Sequence, residues 1–211
     1  MTINGHFGII IPHSLLLTGG GVDFFIYGAY SMPSLSLSLK SRLQGAKKIA
    51  ILVIGSELHA DDAAGILIGE GFNNVWGHPA GTSCKKSKVP AGCPHQVQVK
   101  VFFGGTAPEN LTGPVKDFKA THVIMIDSAD MGKKPGEVHL FNPEKIEGVS
   151  FCTHSLPINI LASYLVEFLN CQIIMIGIQP KTIEFGRPVS KEVAKSIKYT
   201  VSAVKDAIMN I

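Results

Sequence analysis

Acidic residues follow two apolar runs of this 211-residue chain, and a histidine stands within a third apolar stretch. Asp61 and Asp62 come shortly after a run that ends at Ile54, and Asp127 directly follows Val-Ile-Met-Ile. His154 lies in Phe-Cys-Thr-His-Ser-Leu. Such runs are typical of buried parallel strands, and functional groups in open α/β sheets gather where the carboxyl ends of strands meet loops. Two carboxylates and one imidazole that converge there would make a metal site, suited to nickel or zinc, or an acid/base site.

Each of these residues also has a structural interpretation. Asp61 and Asp62 precede a predicted helix, where aspartate is a common N-terminal cap. Asp127 is harder to explain by packing, because an unpaired buried charge is costly, and we favour a functional role for it. Asp130 is expected to shape the turn that follows. A single histidine is more often structural than a ligand, so His154 is a candidate only in combination with the two acids.

A second group of metal-ligand residue types falls in a stretch rich in glycine, proline and lysine at residues 73–96. Its members are His78, Cys84, Cys93 and His95. Their spacing lacks the C-x2-C pair of structural zinc sites. A zinc site, a disulfide between the two cysteines, and free thiols remain open, and free thiols are our default. We predict that this stretch is a surface insertion.

Composition limits the classes of protein to consider. Hydrophobic residues make up 45% of the chain, which is enough for a folded core, and four cysteines are too few for a disulfide framework. The net charge of +3 is too small and too scattered to indicate nucleic-acid binding. No lysine or arginine precedes Lys40, and no apolar segment reaches about eighteen residues, so we predict a soluble, cytoplasmic protein without a membrane partner.

The order of the predicted elements indicates an α/β fold. The predicted strands are 48–54, 97–103, 122–127, 136–141 and 171–178, and the predicted helices are 35–45, 62–70, 108–118, 156–169 and 190–211. This alternation predicts one three-layer domain over residues 32–211, with a twisted, mainly parallel sheet of about five strands between helices. Residues 1–31 are predicted to be a flexible extension, or the result of a start chosen upstream of Met32.

Several enzyme classes find no support in the sequence. There is no G-x-S-x-G elbow, no phosphate-binding Walker A loop and no H-E-x-x-H zinc motif. The loop that begins at Gly55 lacks the G-x-G-x-x-G spacing of dinucleotide folds, and its adjacent carboxylates would repel a pyrophosphate. A nucleotide-binding domain is therefore the weakest of the interpretations that we retain.

Five motifs occur in a fixed order across residues 40–211. They are Gly55-x5-Asp-Asp62, Gly104-Gly-Thr-Ala-Pro-Glu-Asn110, Ile126-Asp-Ser-Ala-Asp-Met-Gly132 with Pro135-Gly-Glu137, Thr153-His-x-x-Pro157, and Gly177-Ile-Gln-Pro180. In this combination the chain resembles the nickel–iron hydrogenase maturation endopeptidases, in particular the subgroup that acts on formate-hydrogenlyase-type and related archaeal hydrogenases.

The resemblance implies a function and a set of site residues. It implies an aspartic-type endopeptidase that removes a short C-terminal extension from a hydrogenase large-subunit precursor, its partner, after nickel insertion. It also implies that the enzyme recognises the nickel carried by the precursor, with no organic cofactor. Carried over by motif position, the catalytic and nickel-binding residues are Asp62, Asp127 and His154.

The chain departs from the family pattern beside the expected site. Ser56 stands where the family usually has asparagine, and Ala63 stands where it usually has glycine. The main alternative is therefore a nickel-sensing chaperone that binds the precursor without cutting it.

Overall fold

The computed structural model describes residues 34–76, 97–142, 150–151 and 158–211. The predicted extension at 1–31, most of the predicted insertion at 73–96, and His154 lie outside these residues, so those predictions stay predictions. Among the described residues, no helix has the length and apolar character needed to cross a membrane.

The sheet has the predicted mainly parallel arrangement. Its strands in chain order are β1 Lys48–Ile54, β2 Gln98–Gly105, β3 His122–Asp130, β4 Val138–Phe141, β5 Ser150–Phe151 and β6 Gln172–Ile178. They lie in the spatial order β2-β1-β3-β6-β4, with β1, β2, β3 and β6 parallel and β4 antiparallel to β6. The two-residue β5 pairs antiparallel with the end of β3. The predicted single α/β domain with a five-stranded, mainly parallel sheet is confirmed.

Strand β3 is longer than predicted. The sequence suggested an end at Asp127, but the strand continues to Asp130. Ser128 still pairs with Ile178 of β6, and Asp130 pairs with Ser150 of β5. Asp127 therefore lies within the strand rather than at its end, and it pairs with Gly177 of β6.

Helices cover both faces of the sheet. They are α1 Leu35–Arg42, α2 Ala64–Glu70, α3 Asn73–Trp76, α4 Thr112–Phe118, α5 Ile158–Leu169 and α6 Lys191–Met209. Alternate residues of β1 divide between two apolar clusters, since Ile51 packs with α1, α2 and α6 while Leu52 packs with α4 and α5. This is the predicted three-layer arrangement, in which each face of the sheet has its own core.

The predicted surface insertion needs one correction. Its first four residues form α3, and Trp76 is buried against Phe72 of the core. On α6, Val193, Val204 and Ile208 are buried, and Ile197 and Val201 are partly buried and pack against the same core. The helix contacts both α1 and α2.

Candidate active site

The loop after β1 folds back so that Asp62 lies against the carboxyl end of the sheet. Gly55 has a φ of +135°, and a Cβ on this residue would lie 2.0 Å from the carbonyl oxygen of Asp62. The next amide, that of Ser56, donates to the same oxygen at 3.2 Å. Only glycine permits this approach, so Gly55 fixes the position of the 3-10 turn Ala60–Ala63 that carries Asp62.

A second glycine sets helix α2 directly over the end of β1 and the neighbouring part of β3. A Cβ on Gly65 would lie 2.1 Å from the carbonyl oxygen of Ile54 in β1 and 2.6 Å from that of Ile126 in β3. The helix can therefore begin at the junction of these strands only because residue 65 has no side chain. Asp62 precedes this helix start and is brought to the same junction.

Ser128 joins the two predicted carboxylates. Its hydroxyl donates to Oδ1 of Asp62 at 2.8 Å, and its amide donates to Oδ1 of Asp127 at 2.7 Å. Asp62 is 0% exposed and Asp127 is 1% exposed. Burial of a carboxylate is costly, and these hydrogen bonds offset part of that cost. The structure thus brings Asp62 and Asp127 together at one edge, beneath the surface, where electrostatic interactions are strong.

The third predicted residue cannot be placed in the same way, because His154 lies outside the described residues. Its convergence with the two acids remains a prediction. Among the described residues, no group of three or more His, Cys, Asp or Glu side chains is arranged to hold a metal ion. Asp62 and Asp127 offer two carboxylates, and any further ligand would come from elsewhere in the chain or from a substrate.

The predicted helix-capping role of the acidic pair is wrong. Neither the 3-10 turn nor α2 has a side-chain cap hydrogen bond. Asp61, which is 0% exposed, instead accepts hydrogen bonds from the amides of Lys181, Thr182 and Ser190 and from the Ser190 hydroxyl, at 2.6–3.2 Å. The 3-10 turn points this carboxylate away from α2 and toward the loop after β6. Asp61 is therefore a structural anchor beside the site.

Gln179 organises the loop that follows β3. Its side-chain oxygen accepts from the amides of Met131 at 2.7 Å and Lys133 at 3.1 Å, and its Nε2 donates to Asp130 at 3.1 Å. Asp130 also accepts from the Gly132 amide, so its predicted turn-shaping role is confirmed. The hydrogen bond from Gln179, together with that from the Gly132 amide, lowers the pKa of Asp130 below its ordinary value. The carboxylate is thus kept ionised as the turn requires.

The two departures from the family pattern fit the backbone. Ala63 has a φ of −67°, a right-handed conformation that does not require glycine. The Ser56 hydroxyl lies 2.9 Å from Nδ1 of His59, within the loop that leads to Asp62. Both residues are thus compatible with the backbone that carries Asp62.

Sequence reasoning missed Ser128, Gln179 and the anchoring role of Asp61. Ser128 and Gln179 stand inside motifs that were recognised, but no local pattern gives their partners. The Ser128 hydroxyl donates to Asp62, which lies 66 positions away in the sequence. The Gln179 side-chain oxygen accepts from the Met131 amide, which lies 48 positions away. Such contacts depend on strand order, which the spacing of residues along the chain does not contain.

Comparison with known proteins identifies the family of this chain. The family model HycI, hydrogenase maturation protease, matches residues 83–207. The hydrogenase 3 maturation protease of Escherichia coli K12 is 29% identical over 149 residues, which cover 70% of this chain and 83% of the relative. A Methanocaldococcus jannaschii protein, provisionally assigned as a hydrogenase maturation protease, is 36% identical over 75% of this chain and 86% of its own length.

A solved structure gives the same result. The crystal structure of the [NiFe] hydrogenase maturation protease HycI from Thermococcus kodakarensis superposes with a TM-score of 0.68 at 26% identity, covering 82% of this chain and 99% of that one. The chain described here belongs to the HycI family of hydrogenase maturation proteases. It is accordingly an endopeptidase.

Proposed function

We propose that this endopeptidase removes the C-terminal extension of a nickel–iron hydrogenase large-subunit precursor after nickel has been inserted. Membership of the HycI family supports the reaction, since relatives in Escherichia coli and Thermococcus kodakarensis are hydrogenase maturation proteases. The observation that carries the site assignment is the pair of buried carboxylates, Asp62 and Asp127, joined through Ser128. The hydrogen bond from Ser128 to Asp62 joins residues 66 positions apart, so the two acids are brought together by the tertiary fold.

Nickel enters this proposal as part of the substrate. An ion held by the precursor would gain oxygen ligands from Asp62 and Asp127 and a nitrogen ligand from His154, a set that suits a borderline divalent ion. Phe151, three residues before His154, pairs with Ala129, two residues after Asp127, which supports the inclusion of the histidine. The positive ion would compensate two buried negative charges, so a precursor without nickel would be rejected.

The burial of both acids has a consequence for binding. An ion can be ligated only by an oxygen that it touches, and both carboxylates are shielded from solvent. Engagement of the precursor therefore includes a rearrangement of the chain around the two acids. This would couple recognition of the loaded precursor to assembly of the reactive arrangement.

The chemical roles of the acids are constrained by what peptide hydrolysis needs. A base must take a proton from the attacking water, and an acid must give one to the leaving nitrogen. One carboxylate cannot be a tight ligand and a free base at the same time. We therefore assign nickel recognition and proton transfer jointly to Asp62, Asp127 and His154, as an aspartic-type endopeptidase site without an organic cofactor. The cytoplasmic location stays a prediction from the sequence.

Mass spectrometry of the precursor tests this function. The purified protein is incubated with precursor in nickel-loaded and nickel-free forms, and the mass of the precursor is measured over time. Loss of a C-terminal peptide from the loaded form alone is expected. Stable binding of the loaded precursor without any loss of mass would establish the non-cleaving chaperone instead, and cleavage of both forms would remove nickel from the mechanism.

A further inference from the structure

Two loops at the carboxyl edge of the sheet are fastened together beside Asp62. The loop at residues 55–60 follows β1, and the loop at residues 181–190 follows β6. The Gly186 amide donates to the carbonyl oxygen of Leu58 at 2.8 Å, and the rings of His59 and Phe185 meet edge to face with centroids 5.4 Å apart. The hydrogen bonds that Asp61 accepts hold the second loop at both of its ends. The two loops therefore form one fixed surface.

This surface carries the two most exposed large apolar side chains of the described residues. Phe185 is 71% exposed, and Ile183, which lies on the same loop as Phe185, is 45% exposed. Leu58 on the other loop is 62% exposed. Single exposed apolar residues are ordinary, but here they stand on loops whose backbone is held by a buried carboxylate. We call Leu58, Ile183 and Phe185 the loop patch.

Two ion pairs lie beside the loop patch. Lys181 pairs with Glu192 at 2.9 Å, and Arg187 pairs with Glu184 at 3.1 Å. The loop at residues 181–190 thus offers a partner apolar surface whose own charged side chains are paired, while Glu57 on the other loop is exposed beside Leu58. Its chemistry fits a polypeptide segment with apolar side chains better than a charged ligand.

The loop patch is continuous with the candidate active site. Phe185 contacts His59, the His59 ring lies 2.9 Å from the Ser56 hydroxyl, and the Ser56 amide donates to the backbone of Asp62. An endopeptidase must hold its polypeptide on both sides of the bond that it cuts. A rigid apolar surface that begins at the loop of a catalytic candidate lies where such a polypeptide has to pass.

We propose that the loop patch is a docking surface for the polypeptide substrate and binds apolar side chains close to the scissile bond. The identity of the substrate as the large-subunit precursor rests on the proposed function. The loop patch acts in binding rather than in chemistry, because its side chains carry no group that exchanges protons. Exposed aromatic residues that become buried in an interface commonly dominate its affinity.

Substitution of Phe185 tests the docking surface. Phe185→Ser is expected to raise KM for nickel-loaded precursor about tenfold and to leave kcat within about twofold, because truncating one such contact removes binding alone. Leu58→Ser should act in the same direction. The matched control is Phe168→Ser, since Phe168 is 53% exposed near the end of α5, close to the amino end of β6. Its KM should equal that of the wild type.

Direct titration separates this proposal from the proposed function. All three variants and the wild type are titrated with nickel-loaded precursor, and thermal melts establish that each is folded. If the wild type binds but does not cut, the proposed function fails, and the docking surface still stands if Phe185→Ser binds about tenfold more weakly than Phe168→Ser. Equal dissociation constants for these two variants would overturn the docking surface, whether or not the precursor is cut.

Discussion

The two ends of the parallel sheet hold their charged side chains in different ways. At the amino end, Lys48 begins β1 and Lys100 lies in β2, and both side chains are only partly buried. Their ammonium groups lie over the rings of Phe118 and Phe102, 5.5 and 4.9 Å from the centroids. At the carboxyl end, Asp61 and Asp62 are completely buried. A partly exposed lysine needs no dedicated partner, whereas a buried carboxylate is tolerated only with several hydrogen bonds.

The difference separates what the fold needs from what the chemistry needs. At the amino end, the Thr121 hydroxyl accepts hydrogen bonds from the amides of Lys47 and Lys48, which links the start of β1 to the residue before β3. At the carboxyl end, carboxylates are fixed by residues from three separate segments of the chain. Pairing of the strands does not by itself require buried carboxylates, so the carboxyl end is where we look for function.

The largest effect should come from changing a carboxylate at the carboxyl end without changing its shape. Asp127→Asn keeps the side-chain oxygen that accepts from the Ser128 amide, so the fold should persist. The rate of cleavage of nickel-loaded precursor should fall about a hundredfold or more, as for loss of an acid/base group, and His154→Ala should behave alike. Asp130→Asn is the control. Because Asp130 shapes a turn, this substitution should lower the cleavage rate much less than Asp127→Asn. Near wild-type cleavage by Asp127→Asn would contradict the site assignment.

The second effect concerns stability. Asp61→Ala removes the acceptor of four hydrogen bonds and leaves the amides of Lys181, Thr182 and Ser190 without it. We expect a loss of about 3 kcal/mol in the free energy of unfolding, measured by urea titration. Asp117→Ala on the exposed side of α4 should change it by less than about 0.5 kcal/mol. Similar values for the two variants would mean that Asp61 is not an anchor.

A third comparison uses two helical glycines. A Cβ at Gly65 would collide with two strand carbonyls, whereas a Cβ at Gly113 of α4 would meet nothing within 4 Å. Gly65→Ala should therefore destabilise the protein by about 2 kcal/mol and displace Asp62, while Gly113→Ala should stabilise it by up to about 1 kcal/mol. The melting temperatures of the two variants, each compared with that of the wild type, show whether each substitution stabilises or destabilises the protein. A stabilised Gly65→Ala variant would refute the close approach of α2 to β1 and β3.

The smallest effect is a pH dependence at the amino end. His122 is 4% exposed, and burial lowers its pKa below the ordinary value, partly offset by a hydrogen bond to Gln172. The unfolded chain therefore binds a proton more readily than the folded one, and stability falls as the pH drops below about 6.5. His122→Gln should show a shallower loss of stability between pH 6.5 and 5 in urea titrations. If the free energy of unfolding of His122→Gln falls with pH as steeply as that of the wild type, other groups cause the loss of stability in acid.

The sequence predicted the elements better than the contacts between them. Apolar runs located β1, β3 and β6 because burial of a parallel strand on both faces leaves a continuous pattern along the chain. Asp61 and Asp62 were singled out from the sequence, but their hydrogen-bond partners were not predicted, since a 3-10 turn rather than a helix start orients them. Which acid faces Ser128 and which faces Ser190 depends on the path of the backbone over Gly55. No spacing rule contains that path.

The hydrogen bond between Asp61 and the Ser190 amide joins residues 129 positions apart, whereas β1 and β3 pair within 73 or so residues. During synthesis, the central strands can therefore associate well before residue 190 leaves the ribosome, and the two loops beside Asp62 can be fastened only afterwards. The anchor that Asp61 provides beside Asp62 is thus completed only after the central strands of the sheet have paired.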